Sequence, residues 1–278
     1  MAIDKIPFPI IDAHAHFFPQ KIFEAIWSHF EKRDWPIAYK GEVDALPEKL
    51  MDHGVAAYTV LNYVKKPGQA ESVNEWTKNF CEARPEAIPF CTLHVEDPDP
   101  WGTVAPYLEE HGFKGIKIQP LVCEFGVDDE RLAPILSKLV DLEKILVVHA
   151  GTAPRSNDWV GLARLERALE RHAGLKVILP HMGAYEVERA FRLLDKYPDL
   201  YLDTTMTFVN TELFDTHPEI DMSMIEDYSD RILFGSDFPN FPYQYAEAID
   251  SIGRLGLTEE ATRKIFFENA AGLFRLGS

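Results

Sequence analysis

Only three cysteines, Cys81, Cys91 and Cys123, occur in 278 residues, and they form neither a CxxC pair nor an even set. This argues against a disulfide framework and leaves reduced, mostly buried thiols in a reducing compartment. Basic residues are scarce as well. Lys and Arg number 28 against 45 Asp and Glu, a formal net charge of −17. A surface this acidic repels phosphate backbones and anionic lipid, so neither nucleic acid nor a membrane is an expected partner. A small anionic substrate stays open, because one metal or a few local cations outweigh a distant field. No run approaches the ~18 uninterrupted apolar residues of a membrane span. The opening MAIDKIPFPIIDAHAHF carries an acid at Asp4 and no long apolar stretch, unlike a signal peptide. A cytoplasmic protein is expected. Low-complexity tracts and charge blocks that would act as linkers are missing too.

What is present is globular: 46% hydrophobic and 12% aromatic residues. Short apolar or β-branched runs alternate with helix-period segments. The strand-like runs are 10–14, 55–61, 88–94, 115–119, 145–149, 176–181, 200–204 and 232–237. Helix-like segments cover 71–84, 131–143, 162–172 and 187–196. Runs such as ILVVH and KVILPH suit strands buried on both faces of a parallel sheet. Eight such units in a chain of this length predict a (β/α)8 TIM barrel, one domain over 1–278. A doubly wound sheet would place a glycine-rich turn after the first strand, where AHAHFFP stands instead. Residues 17–43 exceed an ordinary loop, and Phe23, Trp27 and Phe30 have helical spacing. An inserted helix is expected there, either capping the site or packing at the periphery. Residues 259–274 read as a last amphipathic helix.

The strand ends carry the chemistry. The first ends Asp12-Ala13-His14-Ala15-His16, the fifth at His149, the sixth at His181 and the eighth at Asp237. In a barrel these carboxyl ends converge on one face. Residues i and i+2 of a strand point the same way, so Asp12, His14 and His16 share a face. Imidazoles with one carboxylate suit zinc, iron or manganese. His94 ends the third strand and could face the site. His29, His53, His111, His172 and His217 fall on helices or loops and receive no role.

IIDAHAHFFP, GFKGIKIQP, LVVHAG, VILPHMGA and ILFGSDFP resemble the amidohydrolase superfamily, and more narrowly the amidohydrolase-2 branch that includes aminocarboxymuconate-semialdehyde decarboxylase. The resemblance implies that His14, His16 and His149 are imidazole ligands and Asp237 the carboxylate ligand of one divalent metal. Zinc is the metal it implies, with Mn2+ or Fe2+ as alternatives. His181 would not ligate but would act on protons, and Asp237 would also take a proton from water. A homodimer is likewise implied. Asp12 is expected to orient an imidazole N–H, or else to hold backbone. Lys117, inward in GIKIQ beside Gln119, needs a partner. It would pair with an acid or hold a substrate carboxylate, or, in a binuclear site, be carbamylated.

For substrate, the run GTAPRSNDW offers Arg155 and Trp159, and arginine suits bidentate carboxylate binding. Phe238, Phe241 and Tyr243 supply aromatic surroundings after the eighth strand. The resulting expectation is a metal-dependent hydrolase that directs activated water at a C–N, ester or lactone bond of a small, carboxylate-bearing substrate. The alternative is a non-oxidative decarboxylase of an aromatic or muconate-type acid, which would use the same ligands. A binding barrel without activity is the third reading, opposed by the intact strand-end residues.

Overall fold

Continuous Val, Ile and Leu runs form parallel strands because a parallel sheet is covered on both faces and leaves no polar side. A computed structural model of the protein, describing residues 6–153, 156–210 and 219–276, shows eight of them. They are β1 (Ile10–Asp12), β2 (Val55–Leu61), β3 (Ala87–Phe90), β4 (Gly115–Ile118), β5 (Ile145–Val148), β6 (Lys176–Leu179), β7 (Leu200–Asp203) and β8 (Ile232–Leu233). Helices alternate with them, and the expected segments appear at Ala70–Glu82, Ala133–Asp141, Leu162–Arg171 and Val187–Lys196. Among the described residues, no helix is long and apolar enough to cross a membrane. The chain divides into two compact units, Leu61–Leu202, and Met1–Val60 with Asp203–Ser278.

In the Leu61–Leu202 unit, β4, β5, β6 and β7 pair in sequence order, all parallel. Cys91, just past β3, bridges Ile116 in the same sense. All four residues of β4 and of β5 are buried. Gly115 begins β4 against Ile145, where any Cβ would collide with the Ile145 carbonyl. Helix Leu162–Arg171 turns three arginines toward the loop after β4. Arg164 and Arg167 donate to the Asp128 carboxylate at 2.7 and 2.8 Å, and Arg171 donates to its backbone oxygen at 3.4 Å. Asn74 on helix Ala70–Glu82 both donates to and accepts from the backbone of Thr92, at 2.9 and 2.8 Å.

In the other unit β1 pairs with β2, parallel. The continuations of β1 and β8 interlock beyond their ends. Ala13 N donates to Phe234 O at 2.8 Å, and His16 N to Phe238 O at 2.7 Å. Residues 17–43 do hold a helix, Gln20–Glu31, burying Phe23 and Trp27. The chain after it is tied to the segment following β8. Trp35 Nε1 donates to Asn240 O at 3.0 Å, Ala38 N to Phe241 O at 3.1 Å, and Tyr245 N to Tyr39 Oη at 2.9 Å. The C-terminal helix departs from the expected regular form. Lys264–Glu268 is a π-turn, and such a turn releases carbonyls from the i→i−4 ladder. Ile265 O accepts from Phe234 N at 2.8 Å, so the irregularity anchors β8.

Candidate metal centre

The sequence pattern extends past the strands that carry it. β1 stops at Asp12 and β8 at Leu233, yet the chemistry lies at 14, 16 and 237. Backbone that leaves the ladder can aim side chains where a strand cannot. His14 O accepts from Asp237 N at 2.7 Å, and Asp237 takes a left-handed conformation at φ 71°. Non-glycine residues rarely adopt that region, and it is retained where the surroundings over-determine it. Here the turn swings the Asp237 carboxylate back onto the histidines that follow β1.

Oδ1 of Asp237 lies 2.8 Å from His16 Nε2 and 3.6 Å from His14 Nε2. One ligand atom from each of the three residues falls within 4.8 Å of the others. His14 is 1% exposed and His16 is 3%. Ligand bonds of about 2.0–2.2 Å in a tetrahedral site put neighbouring donor atoms roughly 3.3–3.6 Å apart; the His14–Asp237 separation is on that scale, and the His16–Asp237 contact is shorter, at hydrogen-bond length. The donor chemistry fits a divalent metal. Two imidazole nitrogens and an anionic oxygen turned toward one another repel unless a cation or protons lie among them.

Sequence reasoning missed the group behind His14. Its Nδ1 lies 2.9 Å from Asp203 Oδ2 and 3.1 Å from Thr205 Oγ1. Asp203, the last residue of β7, is fully buried. The only signal was an acid at a strand end, in LYLDTT, some 189 positions from its partner. Of the two roles expected of Asp12, the one on an imidazole therefore falls to Asp203 and the one on backbone to Asp12 itself. Asp12 accepts instead from His14 N at 3.0 Å, Ser236 N at 3.2 Å, Ser236 Oγ at 2.5 Å and Tyr245 Oη at 2.8 Å. It points toward the chain after β8, which offers donors that the imidazoles do not, and it locks β1 to that chain. Burial pushes its carboxyl up to about 7, against those hydrogen bonds. Burial likewise raises Tyr245 well above the usual phenol range.

His149 and His181 meet in the Leu61–Leu202 unit, ring centroids 4.7 Å apart. His149 Nε2 lies 3.1 Å from Ala153 O, and a carbonyl only accepts, so that nitrogen is the donor. His181 opens a run of positive φ: 57° at His181, 50° at Met182, 80° at Gly183 and 57° at Ala184. Strain of this kind concentrates at functional sites. Lys117 is buried in β4. Beside it, Gln119 Oε1 is buried with no hydrogen-bond partner among the described residues. His94 serves its own loop. Its Nδ1 accepts from Glu96 N at 3.2 Å, and its ring meets Phe125 edge-on at 5.3 Å. Trp159, 37% exposed, rims a cavity of about 440 Å3 with Asp128, Asp129, Arg131 and Arg164. Arg155 lies outside the described residues. Phe241 and Tyr243 stack at 4.6 Å and are both buried.

Comparison with solved structures gives the fold. An uncharacterized TIM-barrel protein from Bordetella bronchiseptica superposes with a TM-score of 0.75 at 17% identity, over 96% of this chain and 99% of that one. A 2,6-dihydroxybenzoate decarboxylase complexed with 2,6-dihydroxybenzoate gives 0.67 at 18% identity, over 96% and 99%. A 5-carboxyvanillate decarboxylase from Novosphingobium aromaticivorans, complexed with manganese and 4-hydroxy-3-methoxy-5-nitrobenzoic acid, gives 0.66 at 17% identity, over 98% and 97%. The fold is that of the TIM-barrel proteins, as the strand rhythm predicts. A comparison with curated proteins returns no match. The amidohydrolase family (Amidohydro_2) matches residues 11–276. The chain belongs to that amidohydrolase family and is a metal-dependent enzyme, a hydrolase or a decarboxylase.

Proposed function

We propose that the protein is a metal-dependent hydrolase acting on a C–N, ester or lactone bond of a small carboxylate-bearing substrate. The observation that carries its metal dependence, which the decarboxylase reading shares, is the approach of His14 Nε2 and His16 Nε2 to Asp237 Oδ1, at 3.6 and 2.8 Å. Those three residues, with His149 as the third imidazole, would hold one divalent cation. Zn2+ is proposed, and the N/N/O donor set also suits Mn2+ or Fe2+. When bound, such an ion supplies Lewis acidity, polarising a substrate oxygen and acidifying water.

The chain's own residues do the rest. The carboxylate of Asp237 takes the proton that attacking water releases. His181 donates a proton to the leaving nitrogen or oxygen as water's oxygen bonds to the acyl carbon and the acyl C–N or C–O bond breaks. Arg155 and Lys117 pair with the substrate carboxylate, and Trp159 packs against its apolar part. The two decarboxylase structures favour a second reading, in which the bond to the substrate's carboxylate carbon breaks. CO2 leaves in that case, and His181 protonates the carbon left behind.

Purified protein should be incubated with lactones, amides and aromatic or muconate-type acids. Loss of the amide, ester or lactone bond is expected, with metal retained but most turnover lost in His181→Ala. Release of CO2 with every such bond intact would establish the second reading in its place.

A further inference from the structure

We propose that Asp203 is the positioning residue of this centre: it fixes the tautomer of His14 so that Nε2 presents a lone pair toward Asp237. The inference rests on the metal-centre reading above and names the residue that prepares it.

Both oxygens of Asp203 are engaged, and they do different things. Oδ1 accepts from Thr205 N at 3.1 Å, which closes the turn after β7. Oδ2 faces His14 Nδ1 at 2.9 Å. An ionised carboxylate only accepts, so this contact places the imidazole proton on Nδ1. Thr205 Oγ1, at 3.1 Å from the same nitrogen, cannot decide the matter alone, since a hydroxyl both donates and accepts. The remaining nitrogen, Nε2, is the one 3.6 Å from Asp237 Oδ1. An imidazole whose far N–H is held by a carboxylate is a more basic ligand in a fixed orientation. The turn takes Oδ1, and Oδ2 is the oxygen that faces His14.

Asp203→Asn separates these functions, because the amide keeps the shape and one oxygen for Thr205 N. Its NH2 then faces His14 Nδ1 and donates to it, which moves the imidazole proton to Nε2 and blocks the ligand. A serine protease triad shows the same loss on an Asp→Asn change, through the wrong tautomer.

The test uses metal-free, 15N-histidine-labelled protein at about pH 9, where an imidazole holds one proton. His14 is assigned by the signal lost in His14→Gln. Wild type should show the proton on Nδ1, and Asp203→Asn should show it on Nε2. Chelator competition with Zn2+ and with Mn2+ should show about 10- to 100-fold weaker binding in Asp203→Asn. Thr205→Val should lose less than about threefold, and the metal-free melting points should agree. A wild-type His14 protonated on Nε2, or an Asp203→Asn protein that binds metal within threefold of wild type, overturns the proposal. Wild-type protein that binds neither ion would defeat the metal-centre reading instead, and the tautomer of the metal-free protein would still decide the role of Asp203. The wild-type spectrum also decides it should Asp203→Asn fail to fold.

Discussion

Gly235→Ala adds a single methyl group directly behind the centre. A Cβ at this position would stand 2.6 Å from Thr205 Oγ1, 2.8 Å from His14 Cβ and 3.2 Å from Asp203 Cγ. Carbon contacts are comfortable at about 3.5–4.0 Å, so neighbours must give by roughly 0.7 Å or more. Gly235 is not among the positive-φ glycines, so the backbone itself accepts alanine and the effect isolates the collision. The Thr205 hydroxyl can rotate away, but His14 Cβ is fixed by its own chain, whose carbonyl accepts from Asp237 N at 2.7 Å. Overpacking of this order costs about 1–3 kcal/mol. For a chain of this size that is a fall of about 2–4 °C in Tm per kcal/mol. The same displacement moves His14 Nε2 away from Asp237, and a tenfold loss of metal affinity corresponds to about 1.4 kcal/mol. Thermal unfolding in chelator reads the first effect, and titration with Zn2+ or Mn2+ reads the second. A variant with Tm within 1 °C and affinity within twofold of wild type would refute the reasoning, since neither the packing nor the placement of His14 would then depend on this gap.

Three further perturbations bear on the scaffold. Gly115→Ala should prevent folding or cost about 3 kcal/mol or more, because the new Cβ strikes the Ile145 carbonyl at the β4–β5 pairing; soluble protein with wild-type denaturant midpoint would contradict this. Asp12→Ala should cost about 1–3 kcal/mol, since the Ser236 and Tyr245 hydroxyls can reorient and Ser236 N keeps His14 O at 3.4 Å, while the buried His14 N–H loses the carboxylate it donates to. Urea unfolding measures it, and Asp12→Asn, which keeps one acceptor oxygen, should lose less. Asp128 is partly desolvated, which raises its carboxyl, but hydrogen bonds from Arg164 and Arg167 outweigh this and hold it below the usual range. Its stabilisation is therefore present above about pH 3.9 and lost as pH falls through the depressed value. Asp128→Asn should destabilise by about 1–3 kcal/mol at pH 7, with the gap closing under acid conditions; an equal gap at both pH values would contradict the arginine clamp.

The strands were readable because runs such as ILVV are apolar without alternation, as strands covered on both faces are. His14, His16 and Asp237 were readable because two imidazoles and an acid stood at the ends of such runs. Where the strands stop was not. The 232–237 run forms a ladder only at Ile232–Leu233, because Asp237 must turn through positive φ to face β1. Asp203 was invisible, since an acid at a strand end looks the same whether it meets a ligand or water. Asp12 was left between an imidazole and backbone for a related reason: alternation gives the face a side chain shares but not which donors wait there, and Ser236 and Tyr245 lie more than 220 residues away. The π-turn at Lys264–Glu268 leaves no trace in an amphipathic pattern, because the extra residue shifts the backbone without changing which side is apolar.

The most direct test of the centre is calorimetric titration of chelator-treated protein with Zn2+ and Mn2+, alongside His16→Ala and Asp237→Ala. The structure predicts one strong divalent site per chain in wild type. Each variant should bind at least about tenfold more weakly, with folding retained, because each loses a donor facing the same point. Undiminished binding in both variants would place the metal elsewhere and contradict the account.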